Sequence, residues 1–392
     1  MSRVSIVRGG DIRARTEEAI RRVGGIGSVV KRGDKVFVKP NLVDGAPFIT
    51  GEVTQLETIE VLIKESFDAG ASEVIIGETP TYRRPTETIE KYRRLAEDTG
   101  AKFLELNNYP FVEVEVKNPR FFSTVRLSKP LLESDVFINV PTLKTHAQYG
   151  ITVAIKNMYG LIPPEDRMFY HYTGRVEEAI IDLCKVKRAD LIVVDGTYTT
   201  LHLGPRPIED FRETHRLDLT IAGFDPVAID AISARILGVE PSTIRYLKWA
   251  EEDGLGISDL SSVEVTGISL EEARFGKAIG IAEYVNSRMN DFKIANFGAC
   301  TGCLQLMMNL VHFLRFSGLS KRSLKPSKII CVVGPKARAD EIKGMLDEGC
   351  VILLCGYCAA PTFYNGLKGH FVPGCPPSPE ELQLKIKEIY GF

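Results

Sequence analysis

The stretch at residues 135–146, DVFINVPTLKTH, places a run of apolar residues directly before proline and polar residues. Segments with apolar residues at helical spacing separate this run from four others of the same form. The five runs are 35–41 (KVFVKPN), 73–80 (EVIIGETP), 135–146, 190–196 (DLIVVDG) and 218–226 (DLTIAGFDP). Such alternation is typical of βαβ units around a mainly parallel sheet with helices on both faces. We therefore predict an α/β domain for the first two-thirds of the chain.

A second pattern of strands and helices begins at FKIANFGACTGC, residues 292–303. A long apolar helix is predicted at 304–316, followed by strands at KIICVVGP (328–335) and CVILLCGYC (350–358) and by a terminal amphipathic helix. The preceding polar segment has a helical pattern. We predict an α/β domain over 1–267, a helical bridge over 268–292 and a smaller α/β domain over 293–392.

The composition describes a folded protein with little net charge. Of the 392 residues, 44% are hydrophobic and 26% are charged, and the formal net charge is −2. A chain of this kind can bury two or three hydrophobic cores. Because Lys and Arg are scattered, we expect no nucleic-acid partner. No apolar run approaches the roughly 20 residues that span a bilayer, and no signal peptide is evident, so we expect a cytoplasmic protein without a membrane span.

Polar side chains follow the predicted strands. Ligands of parallel sheets bind beyond the carboxyl ends of the strands, so these side chains are expected to face one crevice. They are Lys39, Asn41, Glu78, Lys144, His146, Asp195 and Asp225. The alternative is that they are polar residues of ordinary surface loops. In that case Asp225 caps a helix before Pro226, and Asp195 serves a turn before Gly196.

Lysine and asparagine side chains at these positions could hold a phosphate or a carboxylate, so we predict a small anionic metabolite as the ligand. The predicted substrate-binding residues are Lys39, Asn41, Lys156, Asn157 and Asp195, and the predicted catalytic residues are His146 and Lys144. His146 could act as acid or base, or could cap its loop. The polar stretch 165–216, which contains His171, His202 and His215, is predicted to form a lid.

Seven of the eight cysteines lie between residues 300 and 375. Disulfides are rare in the cytosol, which makes clustered cysteines candidates for metal binding or redox chemistry. Two CxxC pairs, Cys300/Cys303 and Cys355/Cys358, would suit a four-cysteine zinc site. The gap between them, however, holds a strand–helix–strand pattern rather than a short hairpin. Cys331 lies in an apolar run and is predicted to be a buried small hydrophobic residue, as are Cys184 and Cys350.

The motifs CTGC, GYCA and PGCPPSPEEL together resemble the proximal-cluster domain of nickel–iron hydrogenase small subunits and the related subunit of NADH dehydrogenase. This resemblance implies a flavodoxin-like α/β domain holding a 4Fe-4S cluster. It implies Cys300, Cys303, Cys358 and Cys375 as the four ligands. Cys355 is an additional thiol whose role, in burial, reserve ligation or redox partnership, stays open. No further cysteines follow, so a relay of several clusters is not expected.

The first domain, about residues 1–265, resembles a prokaryotic family of unknown function whose members are often described as iron–sulfur centre proteins. The resemblance is carried by VFVKPNLV, DVFINVPTLKTH, ITVAIKNMYG, LIVVDG and AGFDPVAIDAISARILG. No reaction comes with it. No GxGxxG follows a first strand, and no P-loop or GxSxG motif is present, so the signals of dinucleotide, nucleotide and serine-hydrolase sites are missing, while flavin stays open.

Three hypotheses account for a crevice combined with a metal centre. The first is an enzyme, an iron–sulfur oxidoreductase or lyase, whose cluster acts by redox or as a Lewis acid on a small anionic substrate. The second is a single-cluster electron-transfer protein that docks a redox partner protein. The third is a structural or sensory metal centre without turnover. The first hypothesis gives both domains a role.

Overall fold

We describe the protein from a computed structural model. The structure describes residues 2–42, 45–80, 86–201, 213–276, 278, 280–289, 291–316, 328–346, 349–364 and 367–391. The chain divides into two compact units. The larger unit comprises 1–146, 151–241 and 246–278, and the smaller unit comprises 147–150, 242–245 and 279–392. The main division, between 278 and 279, falls inside the predicted bridge.

The first twelve strands precede residue 268. They are β1 (Ser2–Arg8), β2 (Lys35–Pro40), β3 (Glu73–Glu78), β4 (Lys102–Glu105), β5 (Phe111–Glu115), β6 (Thr124–Ser128), β7 (Val136–Val140), β8 (Lys144–His146), β9 (Gly150–Thr152), β10 (Leu191–Thr200), β11 (Thr214–Gly223) and β12 (Val263–Gly267). The helices of the same stretch are α1 (Ile12–Arg22), α2 (Leu56–Asp68), α3 (Glu87–Thr99), α4 (Lys129–Leu132), α5 (Ala154–Asn157), α6 (Pro164–Tyr172), α7 (Val176–Val186), α8 (Pro226–Ile236) and α9 (Arg245–Glu252), and α10 (Leu270–Ala273) follows them.

Eight of these strands form one large sheet in the order β12-β1-β11-β10-β7-β2-β3-β4. Every neighbouring pair is parallel except the two that involve β11, which runs antiparallel to β1 and to β10. Strands β5 and β6 form a separate antiparallel pair. The prediction of a mainly parallel α/β sheet is therefore confirmed.

Side chains of the central strands alternate between the two faces of the sheet, as the twofold period of a strand requires. Val36 and Val38 belong to the core that the sheet shares with α1, α2 and α3. Phe37 points the other way and meets Phe137 of β7 edge to face, with 6.2 Å between ring centroids. Helix α5 contacts β7, helix α8 contacts β1 and β11, and α7 packs against α5. Both faces are covered, which explains the nearly continuous apolar runs in the sequence.

Helix starts follow the local signals in the sequence. The side chain of Asp225 accepts hydrogen bonds from the backbone N–H groups of Val227 and Ala228, at 2.9 and 3.0 Å, and Pro226 is the first helical residue of α8. The same carboxylate accepts from Ile257 N–H at 3.1 Å. Asp225 therefore caps a helix, the structural alternative considered for it, and does not face the predicted crevice.

The smaller unit has its own sheet. Its elements are α11 (Ile281–Arg288), β13 (Phe292–Asn296), α12 (Thr301–Phe316), β14 (Lys328–Val333), α13 (Ala339–Lys343), β15 (Cys350–Cys355), α14 (Ala360–Tyr364), β16 (His370–Val372) and α15 (Pro379–Tyr390). Within the described residues, the four strands are parallel and lie in chain order, β13-β14-β15-β16. A flavodoxin order would exchange the first two strands, so the resemblance to that fold does not extend to strand order.

Two predictions about segments change. The described residues of the predicted bridge, 268–292, include two short helices, α10 and α11, and the division between the two units falls between them. The stretch 165–216 does not form a lid as a whole, because α7 and β10 within it are almost wholly buried and belong to the core. His202 lies outside the described residues. None of the helices within the described ranges is both long and apolar enough to cross a membrane.

Candidate functional site

A cavity of about 680 Å³ lies in the larger unit, beyond the carboxyl ends of β2 and β3. We call it the lysine cavity. Seven predicted residues line it: Lys39, Asn41, Glu78, Lys144, His146, Lys156 and Asn157. The sequence argument therefore brought together side chains from β2, β3, β8 and α5 that are far apart along the chain. The described lining contains four cationic side chains and one carboxylate, that of Glu78.

The ammonium group of Lys39 is hydrogen-bonded to other groups of the protein. Its Nζ donates hydrogen bonds to Glu78 Oε2 at 2.7 Å, to Asn157 Oδ1 at 3.1 Å and to the backbone oxygen of Pro40 at 2.8 Å. The side chains of Lys39 and Glu78 are 1% and 6% exposed, so this is a buried ion pair. The three donors of the ammonium group are all used. Lys39 shapes the cavity wall rather than offering a free cation to a ligand.

Gly160 makes room for this ion pair. A Cβ atom at residue 160 would overlap Glu78 Oε1 and would lie 2.7 Å from Lys39 Nζ. The backbone oxygen of Gly160 also accepts a hydrogen bond from Thr79 N–H at 3.0 Å. The backbone of residue 160 therefore passes directly against the Lys39–Glu78 pair, an approach that any side chain would block.

Lys144 is a second buried lysine of the cavity wall. Its Nζ donates to Asn41 Oδ1 at 3.2 Å and to the backbone oxygen of Glu52 at 2.9 Å, and its side chain is buried. Both of these acceptors are neutral groups, and they hold the ammonium in position. Asn41 therefore acts through Lys144, as a group that orients it.

Lys156 is 8% exposed, and its Nζ lies 4.3 Å from the centroid of the Tyr159 ring. Burial, followed by the positive charges of Lys144 and Arg167, lowers the pKa of Lys156 to about 7. A like charge and a low-dielectric surrounding both disfavour the protonated amine. At neutral pH this side chain is therefore shared between the ammonium and the free amine.

Two histidines face the same cations. Burial, followed by Lys156, His171 and Lys144, lowers the pKa of His146 well below 6.5. Burial, followed by the charges of Lys156 and Arg167, lowers the pKa of His171 to about 4. Both imidazoles are therefore neutral at pH 7. Because burial and the neighbouring cations disfavour the imidazolium, His146 is a weak base in this state, and its acid–base role stays a prediction.

Asp195 does not line the lysine cavity, although the sequence predicted it as a substrate-binding residue. It lies inside β10 and is 2% exposed. Its carboxylate accepts hydrogen bonds from Gln55 N–H at 2.6 Å, from Thr197 N–H at 2.9 Å and from Thr197 Oγ1 at 2.6 Å. These contacts tie β10 to the start of α2. Asp195 is thus a residue of the core that fastens two elements together.

The predicted cluster cysteines all follow carboxyl ends of strands in the smaller unit. Cys300 and Cys303 come after β13 and at the start of α12, Cys358 after β15, and Cys375 after β16. Backbone hydrogen bonds join the last two loops, from Gly356 N–H to Val372 O and from Tyr357 N–H to Gly374 O, both at 2.9 Å. The parallel sheet therefore delivers the three loops to one edge.

The thiols interact with one another. Burial, followed by the thiols of Cys300, Cys355, Cys358 and Cys375, raises the pKa of Cys303 to about 12. Burial, followed by the thiols of Cys375 and Cys300, raises the pKa of Cys358 as well. Among the described residues, no three His, Cys, Asp or Glu side chains are grouped so that they could hold a single metal ion. Four thiolates that bind different iron atoms of a cluster need not come so close together.

Gly356 permits the close approach of these loops. It has φ 90°, a conformation that side chains other than glycine rarely adopt, and a Cβ atom there would lie 3.4 Å from Cys303 Sγ. Cys355, one residue earlier, is fully buried, and its thiol is directed to Leu353 O at 3.8 Å and to Cys331. These contacts favour burial among the three roles left open for Cys355.

A family model described as Domain of unknown function (DUF362) matches residues 36–235, about half of the chain. The chain belongs to the DUF362 family. The thylakoid-associated protein sll1697 of Synechocystis sp. is similar to it, with 28% identity over 256 residues that cover 63% of this chain and 76% of that protein. The lactate racemase apoprotein from Thermoanaerobacterium thermosaccharolyticum aligns over 99% of this chain and 90% of its own, with 8% identity and a TM-score of 0.38, which is too low to support an argument.

The part of the chain that matches the DUF362 model contains every residue that lines the lysine cavity, whereas the cysteines from Cys300 onward lie outside it. Sequence reasoning missed Tyr159, Gly160 and Arg167 as lining residues. A signal was present in α6, where Pro164, Arg167, Met168 and His171 follow the i, i+3, i+4, i+7 spacing of one helix face.

Proposed function

We propose that this DUF362 protein binds a small organic anion in the lysine cavity and holds a 4Fe-4S cluster on Cys300, Cys303, Cys358 and Cys375, acting as a redox or Lewis-acid enzyme. The observation that carries the first part is the excess of positive charge among the described cavity residues. The only carboxylate of that lining, Glu78, already pairs with Lys39. Lys144, Lys156 and Arg167 line the same cavity, where a ligand of opposite sign would lie close to their positive charges.

The mutual effect of these cations supports an anionic ligand. Lys144 and Arg167 both lower the pKa of Lys156, which means that the three charges repel one another in a poorly solvated space. An anion between them would relieve this repulsion. Arg167 offers a planar guanidinium that suits a carboxylate or phosphate, and Lys144 is held in position by Asn41 and by the backbone of Glu52.

The donor set supports a cluster of iron and sulfide. The four cysteines follow the carboxyl ends of three strands of the small sheet, and Cys300 and Cys303 bracket the first turn of the 16-residue helix α12. The exposed N–H groups and positive dipole end of a helix favour a negatively charged cluster there. When bound, the cluster would supply single electrons or an iron site that polarises an oxygen of the substrate. The chain itself would orient the anion through Arg167 and Lys144 and accept a proton at His146.

Anion binding can be tested by thermal unfolding of the full chain in the presence of carboxylates and phosphorylated metabolites. A ligand that stabilises the protein should lose most of its effect in Arg167→Gln and Lys144→Gln. Lys248→Gln is the matched control, because Lys248 lies on an exposed surface of the same unit. An equal response in all three variants would contradict the proposal.

The cluster can be tested by anaerobic purification, followed by assays of iron and acid-labile sulfide and by electron paramagnetic resonance. We expect one 4Fe-4S centre per chain, and its loss in Cys303→Ser. Cys184→Ser is the control, since Cys184 is also buried but lies in the larger unit. Stoichiometric zinc without sulfide would refute the assignment.

One observation favours electron transfer as a second candidate. Cys358 and Cys375 are exposed, whereas Cys303 is buried. A cluster on these ligands would have one side toward solvent, where a redox partner protein could approach it. Reduction of the cluster by a small ferredoxin or flavodoxin, at a rate that falls with rising ionic strength, would support this role. A reduction rate that does not depend on the protein donor would contradict the electron-transfer role.

A further inference from the structure

We propose that the ligand of the lysine cavity is a carboxylate with a long apolar tail, whose head lies among the cations of the cavity and whose tail lies on the exposed face of α6. This inference rests on the proposed function, because it requires the anion site, and it names the class of anion. It is carried by a change in the lining, from buried charged residues to exposed apolar residues.

The lysine cavity opens to solvent beside α6. Its three lysines, Lys39, Lys144 and Lys156, are at most 8% exposed. Met168 of α6 lines the same cavity and is 74% exposed. A residue that belongs to the cavity wall and is also open to water marks the place where the cavity meets the surface. We call this place, at Met168, the mouth of the cavity.

Apolar side chains continue from the mouth onto the surface of α6. Besides Met168, Phe169 is 54% exposed and Tyr172 is 93% exposed. Met168 and Tyr172 are four residues apart and Phe169 and Tyr172 are three apart, so both pairs are neighbours on the helix surface. We call these three residues the α6 apolar face. Contiguous exposed apolar residues mark ligand-binding grooves and interaction sites, whereas single ones are ordinary.

Contacts with the rest of the larger unit fix the position of α6. Tyr170 is buried, and its ring centroid lies 4.4 Å from that of Phe122. Arg126 Nε donates a hydrogen bond to Asp166 Oδ2 at 3.0 Å. The apolar face is therefore presented to solvent by a helix that is anchored through its other side chains.

A carboxylate with an apolar tail is complementary to both parts. Arg167 and Met168 both line the cavity, so a head group at the guanidinium of Arg167 has its tail within reach of the mouth. A small hydrophilic anion would leave the α6 apolar face in water. A tail that covers Met168 and Tyr172 removes apolar surface from water, and this burial contributes to affinity.

The test is calorimetry on the full-length protein at pH 7 with butanoate, hexanoate, octanoate and decanoate, each below the concentration at which it forms micelles. We expect the dissociation constant to fall about fourfold for each added methylene. Phe169→Gln/Tyr172→Gln should weaken the binding of decanoate far more than that of butanoate. Leu384→Gln is the matched control and should leave the dependence on chain length unchanged, because Leu384 is 64% exposed on a helix of the smaller unit. Cooperative unfolding, followed by the fluorescence of Trp249, shows that the variants are folded.

The dependence on chain length separates the inference from the proposed function. Equal affinities for butanoate and decanoate would refute the tail and leave the anion site standing. A dependence that is the same in Phe169→Gln/Tyr172→Gln would show that the tail does not lie on α6. If none of the carboxylates binds, the anion site for this ligand class fails together with the inference.

Two further measurements address the head group and the α6 apolar face. Octanamide has the tail of octanoate but no charge, so it should bind far more weakly, and equal binding would overturn the carboxylate head. Size-exclusion chromatography tests whether a second copy of the chain covers the face. We expect the parent and Phe169→Gln/Tyr172→Gln to elute alike, and a dimer that is present only in the parent would contradict the inference.

Discussion

Replacing Glu78 by Gln removes one charge of a buried ion pair while keeping the size of the side chain. Lys39 Nζ and Glu78 Oε2 are 2.7 Å apart, and the two side chains are 1% and 6% exposed. Gln can still accept one hydrogen bond from Lys39. It cannot balance the ammonium charge, which would remain in a space that water barely reaches.

The expected loss is large because the remaining charge is poorly solvated. Breaking a buried pair by removing one partner costs about 3–5 kcal/mol of unfolding free energy. The lower end applies here, because Asn157 and Pro40 keep their hydrogen bonds to Lys39. We therefore expect Glu78→Gln to lower the unfolding free energy by about 3 kcal/mol at pH 7.

The loss should depend on pH in a defined direction. Burial lowers the pKa of Lys39 in the folded protein, and Glu78 opposes that effect. Without Glu78 the folded-state pKa of Lys39 falls further below the unfolded value of about 10.4. The unfolded chain then binds the proton that the folded chain lacks, so the stability of the variant rises as the pH rises toward 10. The deficit is largest near pH 7 and smaller near pH 10.

Urea denaturation followed by Trp249, the single tryptophan, reports on the larger unit. Glu264→Gln is the control, because its ion pair with Arg3 has half-exposed partners and should cost about 0–1 kcal/mol. The double variant Lys39→Met/Glu78→Gln should recover part of the loss, since no unpaired charge is left. A cost for Glu78→Gln equal to that of Glu264→Gln, or one that is the same at pH 7 and pH 10, would refute the reasoning.

Three further variants address neighbouring residues. Lys156→Met should raise the unfolding free energy below pH 7 by up to about 4 kcal/mol, because the folded-state pKa of Lys156 is lowered to about 7 and the protonated amine is destabilising there. The gain should fade toward pH 10, and a gain independent of pH in urea titrations would count against it. Gly160→Ala should cost about 1–3 kcal/mol and weaken anion binding, since its Cβ would displace Glu78, whereas Gly27→Ala, where a Cβ meets nothing within 4 Å, should be close to neutral. Asp195→Asn should lower the midpoint temperature of unfolding, because it weakens the hydrogen bonds to Gln55 and Thr197. The dissociation constant of a bound anion, measured by calorimetry, should stay the same. A large change in that constant would show that Asp195 takes part in binding.

The sequence predicted the elements that carry the site better than the residues that line it. Strands at 35–41 and 73–80 were recognised from apolar runs and match β2 and β3 closely. Parallel strands end at one edge, which was enough to bring Lys39, Asn41 and Glu78 together. The same rule gave a wrong position for Asp195, because β10 continues to Thr200, four residues beyond the predicted strand end at 196. A residue inside a strand is not at the carboxyl edge.

The sequence did not predict which charged side chains contact one another, because local patterns do not encode contacts between distant residues. Lys39 and Lys156 look equivalent in the sequence as lysines near asparagines. The fold places Glu78 against one of them and like charges against the other. Arg167 was missed because it lies on α6, in a stretch whose polar composition predicted a lid rather than a cavity wall.

Lys39 and Lys156 are both buried, but the fold places them in opposite electrostatic surroundings. The Lys39–Glu78 pair keeps its charges balanced and supports the wall of the cavity. Lys156 faces two cations, so its protonated form lowers the stability of the folded chain. Under the proposed function, an anion that binds in the cavity adds negative charge beside these cations, and the relief of their mutual repulsion contributes to its binding free energy. On this proposal, the cationic arrangement that weakens the core is also the one that would give the ligand its affinity, as expected of groups kept for binding rather than for folding.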